Sequence, residues 1–173
     1  AGKFCVGYSK VDITPDYPTG LGGYSNAESR QHTGIAENVF VTCIAVTEQA
    51  EDKKNTILLY TIDNCACDHG MAEKIRAAVT EATEIPGEKI FCSATHGHNC
   101  PSWGGYPEAA QYVQDFLAAC VKAAEGALAD RSKAELLAVK AFENKEGSPD
   151  RPDLLQALNR LSSFLYLIMI ELK

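Results

Sequence analysis

Two of the chain's four histidines, His96 and His98, stand two positions apart in Ala94-Thr95-His96-Gly97-His98-Asn99-Cys100, directly after an apolar, strand-like run. In an extended segment, side chains at i and i+2 share a face, roughly 6–7 Å apart. Both imidazoles can therefore look into one pocket. Neutral imidazole is the commonest metal ligand, and a His-x-His leaving a strand end can offer one or two nitrogens to Zn²⁺. The same residues admit two other readings. One is a pair of ordinary histidines satisfied at the surface or in the core; the other is a nucleophilic thiol at Cys100 served by His98, which requires an exposed sulfur of depressed pKa.

Asp63 follows Leu58-Leu59-Tyr60-Thr61-Ile62, so its carboxylate can orient a histidine or approach a metal from outside the ligand shell. Its plainer alternative is an aspartate that starts a helix or turn. Cys65, Cys67 and His69 place two thiols and an imidazole within five residues. That spacing is not the Cys-x-x-Cys of common zinc sites, and it runs into a helix, so packing is the expected role. Trp103 and Tyr106, in the loop after the histidines, either wall a substrate cleft or pin that loop to its own domain.

The elements that must position these residues alternate between strand and helix. Phe4–Thr14 reads as a first strand stopped at Thr14-Pro15-Asp16, and a loop dense in Pro15, Pro18, Gly20, Gly22 and Gly23 follows. Val39–Thr47 and Thr56–Ile62 read as strands buried on both faces and joined by the polar Glu48–Asn55. Helical spacing of Met71, Ile75, Ala78, Val79 and Ala82 predicts a helix over 69–83, closed by Pro86-Gly87 before a strand at Lys89–Ser93. This β-α-β unit favours a parallel pair, and ligand sites gather outside the carboxyl ends of such strands. Asp63 and His96 both occupy such ends.

Further on, Ala109, Val113, Phe116, Leu117, Cys120, Val121, Ala124 and Leu128 mark the core face of a helix over Pro107–Leu128. Ala134–Phe142 reads as a further strand, Glu143–Asp153 as a charged loop, Asp153–Ser162 as a short amphipathic helix, and Phe164–Leu172 as a buried strand. The expected fold is a single α/β domain over residues 1–173. It has a mixed, largely parallel sheet flanked by helices, as an incomplete piece of a larger α/β domain.

Composition narrows the function classes. A hydrophobic content of 46% with 23% charged residues suits a globular domain with its own core. The net charge of −7 argues against nucleic acid or anionic lipid as partner, since both call for clustered Lys and Arg. Seven cysteines, an odd number and several inside apolar runs, suit free thiols in a reduced, cytoplasmic setting. No apolar run is long enough for a transmembrane helix.

Gly7-Tyr8-Ser9-Lys10-Val11-Asp12-Ile13-Thr14-Pro15, then Gly22-Gly23-Tyr24 and Gly34, and then Ser93-Ala94-Thr95-His96-Gly97-His98 with Pro101 form an ordered series. Over about Lys3–Phe142 the chain resembles the amino-terminal part of the neutral/alkaline, non-lysosomal ceramidase catalytic domain. The resemblance implies a zinc-dependent amidohydrolase acting on a small-molecule or lipid N-acyl amide. It makes His96 a zinc ligand and turns His98 toward substrate as a hydrogen-bonding catalytic group. It also implies an active-site arginine near the end of the matched region, for which Arg151 is the nearest candidate. The family usually continues after the second histidine with Ser-Gly-Pro, where this chain has Asn99-Cys100-Pro101. The family's other zinc ligands and its serine belong to later segments, and no histidine follows His98. A non-catalytic binding or assembly domain keeping the family fold is the competing expectation.

Overall fold

The computed structural model describes residues 5–24, 26–48 and 55–133. Within them β1 (Cys5–Asp12), β2 (Phe40–Thr47), β3 (Thr56–Ile62), α1 (His69–Thr83), β4 (Ile90–Ala94), α2 (Ala109–Ala129) and the two-residue β5 (Ser132–Lys133) build one five-stranded sheet, ordered β4-β3-β2-β1-β5. The α/β class and the mixed sheet are those expected. The parallel ladder, however, is confined to β3 and β4, and the other three pairings are antiparallel. The connections explain the balance: only β3 and β4 are joined through a helix, the crossover a parallel pair requires. The strands anticipated at Ala134–Phe142 and Phe164–Leu172, and the helix at Asp153–Ser162, lie outside the described residues.

Local chemistry sets the helix limits. Asp68 caps α1 by accepting the Met71 N–H at 2.8 Å, and the helix closes at Glu84, which turns left-handed at φ 64° ahead of Pro86. Met71, Ile75 and Val79 face the core, as their spacing predicts. The buried stripe of α2 runs through Ala109, Tyr112, Phe116, Cys120, Ala123, Ala124 and Ala127. It is rotated from the expected face toward Tyr112. Helix α2 lies against β1 closely enough that a Cβ on Gly7 would stand 1.9 Å from the Ala127 carbonyl oxygen. Only glycine permits that approach.

β2 and β3 alternate instead of burying both faces. Val41, Cys43, Ala45, Leu58, Tyr60 and Ile62 point into the core with residues of α1 and α2, where Tyr60 donates its hydroxyl to the Cys120 carbonyl at 2.7 Å. On the opposite face, paired register aligns Tyr8, Ile44, Leu59 and Phe91 in one row, and Tyr8, Ile44 and Phe91 are exposed among the described residues. Both described helices belong to the first face, which is why the expectation of two-sided burial fails.

The parallel pair decides where the chemistry sits. Ile62 is in register with Ala94, so the segments after β3 and β4 leave the sheet side by side. The Thr95 N–H donates to the Ile62 carbonyl at 2.9 Å and the Gly97 N–H to that of Asn64 at 3.1 Å. β1 runs the same way as β3, and the glycine-rich loop that follows it folds over this same edge.

Candidate active site

At that edge His96 and His98 share one environment. Their Nε2 atoms are 3.1 Å apart, and the rings meet edge to face at 4.5 Å between centroids. The expected proximity holds, but alternation along an extended strand does not produce it. β4 ends at Ala94 and His96 takes a left-handed conformation, φ 62°, which swings its ring beside that of His98. An L-residue with a side chain this large rarely adopts that region, and strain of this kind gathers at functional sites. His96 Nδ1 lies 2.7 Å from the Cys65 carbonyl oxygen. A carbonyl only accepts, so Nδ1 carries the proton and Nε2 keeps its lone pair, here facing His98 Nε2, the tautomer a metal-ligating histidine uses.

Cys65 is the third member of the group. Its Sγ and a ring nitrogen of each histidine all lie within 4.8 Å of one another. His96 is exposed, and Cys65 and His98 are half-buried. Sequence reasoning assigned Cys65 to packing with Cys67, because nothing local shows that it sits across the parallel pair from His96. Cys67 instead shares a thiol hydrogen bond with Cys92, which lowers the Cys67 pKa and raises that of Cys92. All seven cysteines are free.

The glycine-rich loop closes one side. The Gly22 N–H donates to the Cys100 carbonyl at 2.9 Å, and Leu21 bridges to Pro101. Tyr24 presents its ring edge-on to His98, 4.5 Å between centroids, and a Cβ on Gly22 would meet that of Cys65 at 3.6 Å. Arg30 ties the parts together. Its guanidinium donates to the carbonyls of Gly22 (2.9 Å) and His98 (3.3 Å) and to Asn99 Oδ1 (3.2 Å), and it lies over the Tyr24 ring, 5.1 Å to the centroid. Neither Arg30 nor Asn64 belongs to a motif or period that marks it in the sequence. Asn64 is buried, and its amide donates to the Pro101 carbonyl at 2.7 Å, fixing the far end of the histidine loop. Removal of the guanidinium in Arg30→Ala should weaken divalent-cation binding by this group about 10- to 100-fold, the usual cost of losing a residue that orients a metal's ligands. Arg30→Lys should restore little, because an ammonium cannot reproduce the fork; zinc titrations of the two variants check this.

The remaining candidates are placed as follows. The Asp63 carboxylate accepts the Phe40 N–H at 2.9 Å while the Asp63 N–H donates to the Phe40 carbonyl at 2.9 Å. It thus braces the β2 edge of the site, and the Nδ1 of His96 is engaged by Cys65. Arg151 lies outside the described residues. Trp103 donates to the Ala66 carbonyl at 2.7 Å and packs on Tyr112 and Phe116, and Tyr106 is buried against Ala27 and Ala109. Both pin the loop instead of walling a cleft; Tyr24 is the exposed aromatic at the histidines.

Cys100 is buried, and that burial pushes its thiol pKa up, with the charges of Asp63 and Cys65 adding to the effect. A nucleophile needs the opposite. Iodoacetamide at neutral pH should therefore modify Cys67 at least about tenfold faster than Cys100, read by peptide mass mapping. Faster labelling of Cys100 would restore the thiol-enzyme reading.

No family model and no curated protein matches the chain. Solved structures do. The neutral ceramidase from Pseudomonas aeruginosa superposes with a TM-score of 0.60 at 20% identity, covering 84% of this chain and 27% of that one. The chain has the fold of part of a neutral ceramidase. A ceramidase complexed with C2 superposes with a TM-score of 0.59, also at 20% identity, covering 77% of this chain and 22% of that one. The chain thus spans about a quarter of the length of these ceramidases. Among the described residues no helix is long and apolar enough to cross a membrane.

Proposed function

We propose that this chain supplies part of a zinc-dependent hydrolase of N-acyl amide bonds, ceramidase-like, with a lipid or small-molecule amide as substrate. The observation that supports it is the convergence of two imidazoles and a thiol at the carboxyl ends of β3 and β4, in a chain with a ceramidase fold. The donor set fits the metal: nitrogen and sulfur are zinc's preferred protein ligands. His98 Nδ1 is also buried with no partner among the described residues, so the ring is not there to satisfy the interior.

Bound zinc would lower the pKa of a water and polarise the amide carbonyl. The rest falls to the chain. His96 holds the metal through Nε2, its ring fixed by the Cys65 carbonyl. His98, held by Arg30 and the Gly23 loop, donates a hydrogen bond to the oxygen on which charge develops. Asp63 and Asn64 fix the two loops that carry these rings. Arg151 is carried as the active-site arginine that the family resemblance implies. The full-length protein to which this chain contributes, purified without chelator, should contain stoichiometric zinc, by elemental analysis, and release fatty acid from an N-acyl sphingosine. Metal-free, inactive protein would overturn the proposal, and zinc without hydrolysis would favour a binding or assembly domain.

A further inference from the structure

We infer that the thiol of Cys65 is itself a ligand to the metal that His96 holds, so that this chain offers a sulfur donor. The inference rests on the metal-site reading above and goes beyond it, since the resemblance makes His96 the zinc ligand of this segment and gives Cys65 no role. Cys65 meets His96 twice: its carbonyl accepts from Nδ1 at 2.7 Å, and its Sγ lies within 4.8 Å of a ring nitrogen of both histidines. A sulfur and a nitrogen bound to one zinc, at about 2.3 Å and 2.0–2.1 Å respectively, stand about 3.5 Å apart. The group needs little movement to close on an ion.

Three features keep this thiol available. Cys67, its neighbour in sequence, is engaged with Cys92 instead. Cys65 is half-buried under the Gly22 loop, screened without being sealed. It leaves the sheet at the end of β3, opposite the histidine segment, so the register of Ile62 with Ala94 sets the spacing. On binding, the thiol proton is displaced to solvent and the sulfur brings a negative charge to the metal. The consequence is selectivity: a thiolate favours zinc, cobalt or cadmium over the hard cations magnesium, calcium and manganese.

Cobalt(II) exchanged into the full-length chain tests this directly, because a cobalt–thiolate bond gives an intense near-ultraviolet charge-transfer band that nitrogen and oxygen ligands do not. The band should appear in the wild-type protein and vanish in Cys65→Ser and Cys65→Ala, with cobalt affinity falling at least about tenfold. In the wild-type protein, saturating zinc should slow alkylation of Cys65 at least about tenfold relative to chelated protein, a readout that needs no variant to fold. Cobalt binding without the band, a band that survives in Cys65→Ser, or zinc-independent alkylation overturns the thiolate ligand and leaves the hydrolase proposal intact. Failure to bind cobalt or zinc at all overturns both.

Discussion

His96→Gly should abolish zinc binding and amide hydrolysis while leaving the protein as stable as before. Two effects oppose each other in stability. The substitution removes an exposed hydrogen bond from Nδ1 to the Cys65 carbonyl, about 0.5–1.5 kcal/mol net. It also relieves a left-handed backbone, φ 62°, whose cost for a residue with a Cβ is about 1–2 kcal/mol. The sum lies near zero, so the thermal midpoint should move little. Catalysis has no such compensation. A metal that polarises a carbonyl contributes several kcal/mol to the transition state, and at 1.36 kcal/mol per tenfold the rate should fall by about 10³ or more. His96→Asn makes a second test, because asparagine tolerates the left-handed region yet is a poor zinc ligand. Elemental analysis, a thermal melt and a rate on an N-acyl amide decide the matter together. A variant that keeps its zinc, or that loses stability in step with activity, would make His96 a structural residue.

That separation of stability from activity bears on what could be read without coordinates. Helix α1 was legible to the residue, since Met71, Ile75 and Val79 repeat at its period and Pro86-Gly87 stops it. These are local signals. The parallel β3–β4 pair was legible too, because a helix lies between its strands. The dominance of antiparallel pairing was not, since it depends on which strands become neighbours. Nor was the open sheet face, where apolar Tyr8, Ile44, Leu59 and Phe91 line up through three separate ladders.

The site divides in the same way. His96 and His98 announced themselves by spacing, though the geometry that joins them is a turn with positive φ instead of a strand. Cys65 and Arg30 did not, being 31 and 68 positions from the histidines they touch. A cysteine in the turn after a strand and an arginine in a polar loop carry no periodicity that distinguishes them. The one available hint for Arg30 was its place just after the glycine-rich loop, which has to be tied down by something. Trp103 shows the converse: residue type and loop position left substrate wall and loop pin both open, and the structure gives the pin, with the indole N–H satisfied by Ala66 and the ring by Phe116 and Tyr112.

Gly23→Ala should lower amide hydrolysis by about 100-fold with zinc still bound. Gly23 sits at φ +107°, and a Cβ there would come within 2.6 Å of His98 Cγ, 2.7 Å of its Cβ and 2.9 Å of its Cα. Contacts this short do not exist between real atoms, so either the Tyr24 loop or the His98 ring has to move. Moving the loop costs the Arg30 bond to Gly22 and the Tyr24 contact with His98. Moving the ring takes the hydrogen-bond donor away from the developing oxyanion. In both cases a displacement of about 1 Å is enough for a loss near 100-fold. The backbone penalty, about 1–3 kcal/mol for a non-glycine residue in such a region, falls on a surface loop and not on the core. His96 and Cys65 keep their places, which is why the metal should stay. Gly34→Ala provides the control, since a Cβ at Gly34 meets nothing within 4 Å and φ there is unremarkable for an L-residue. It should hydrolyse amide at the wild-type rate. If Gly23→Ala does the same, His98 is not held by this loop and its role toward substrate fails with it.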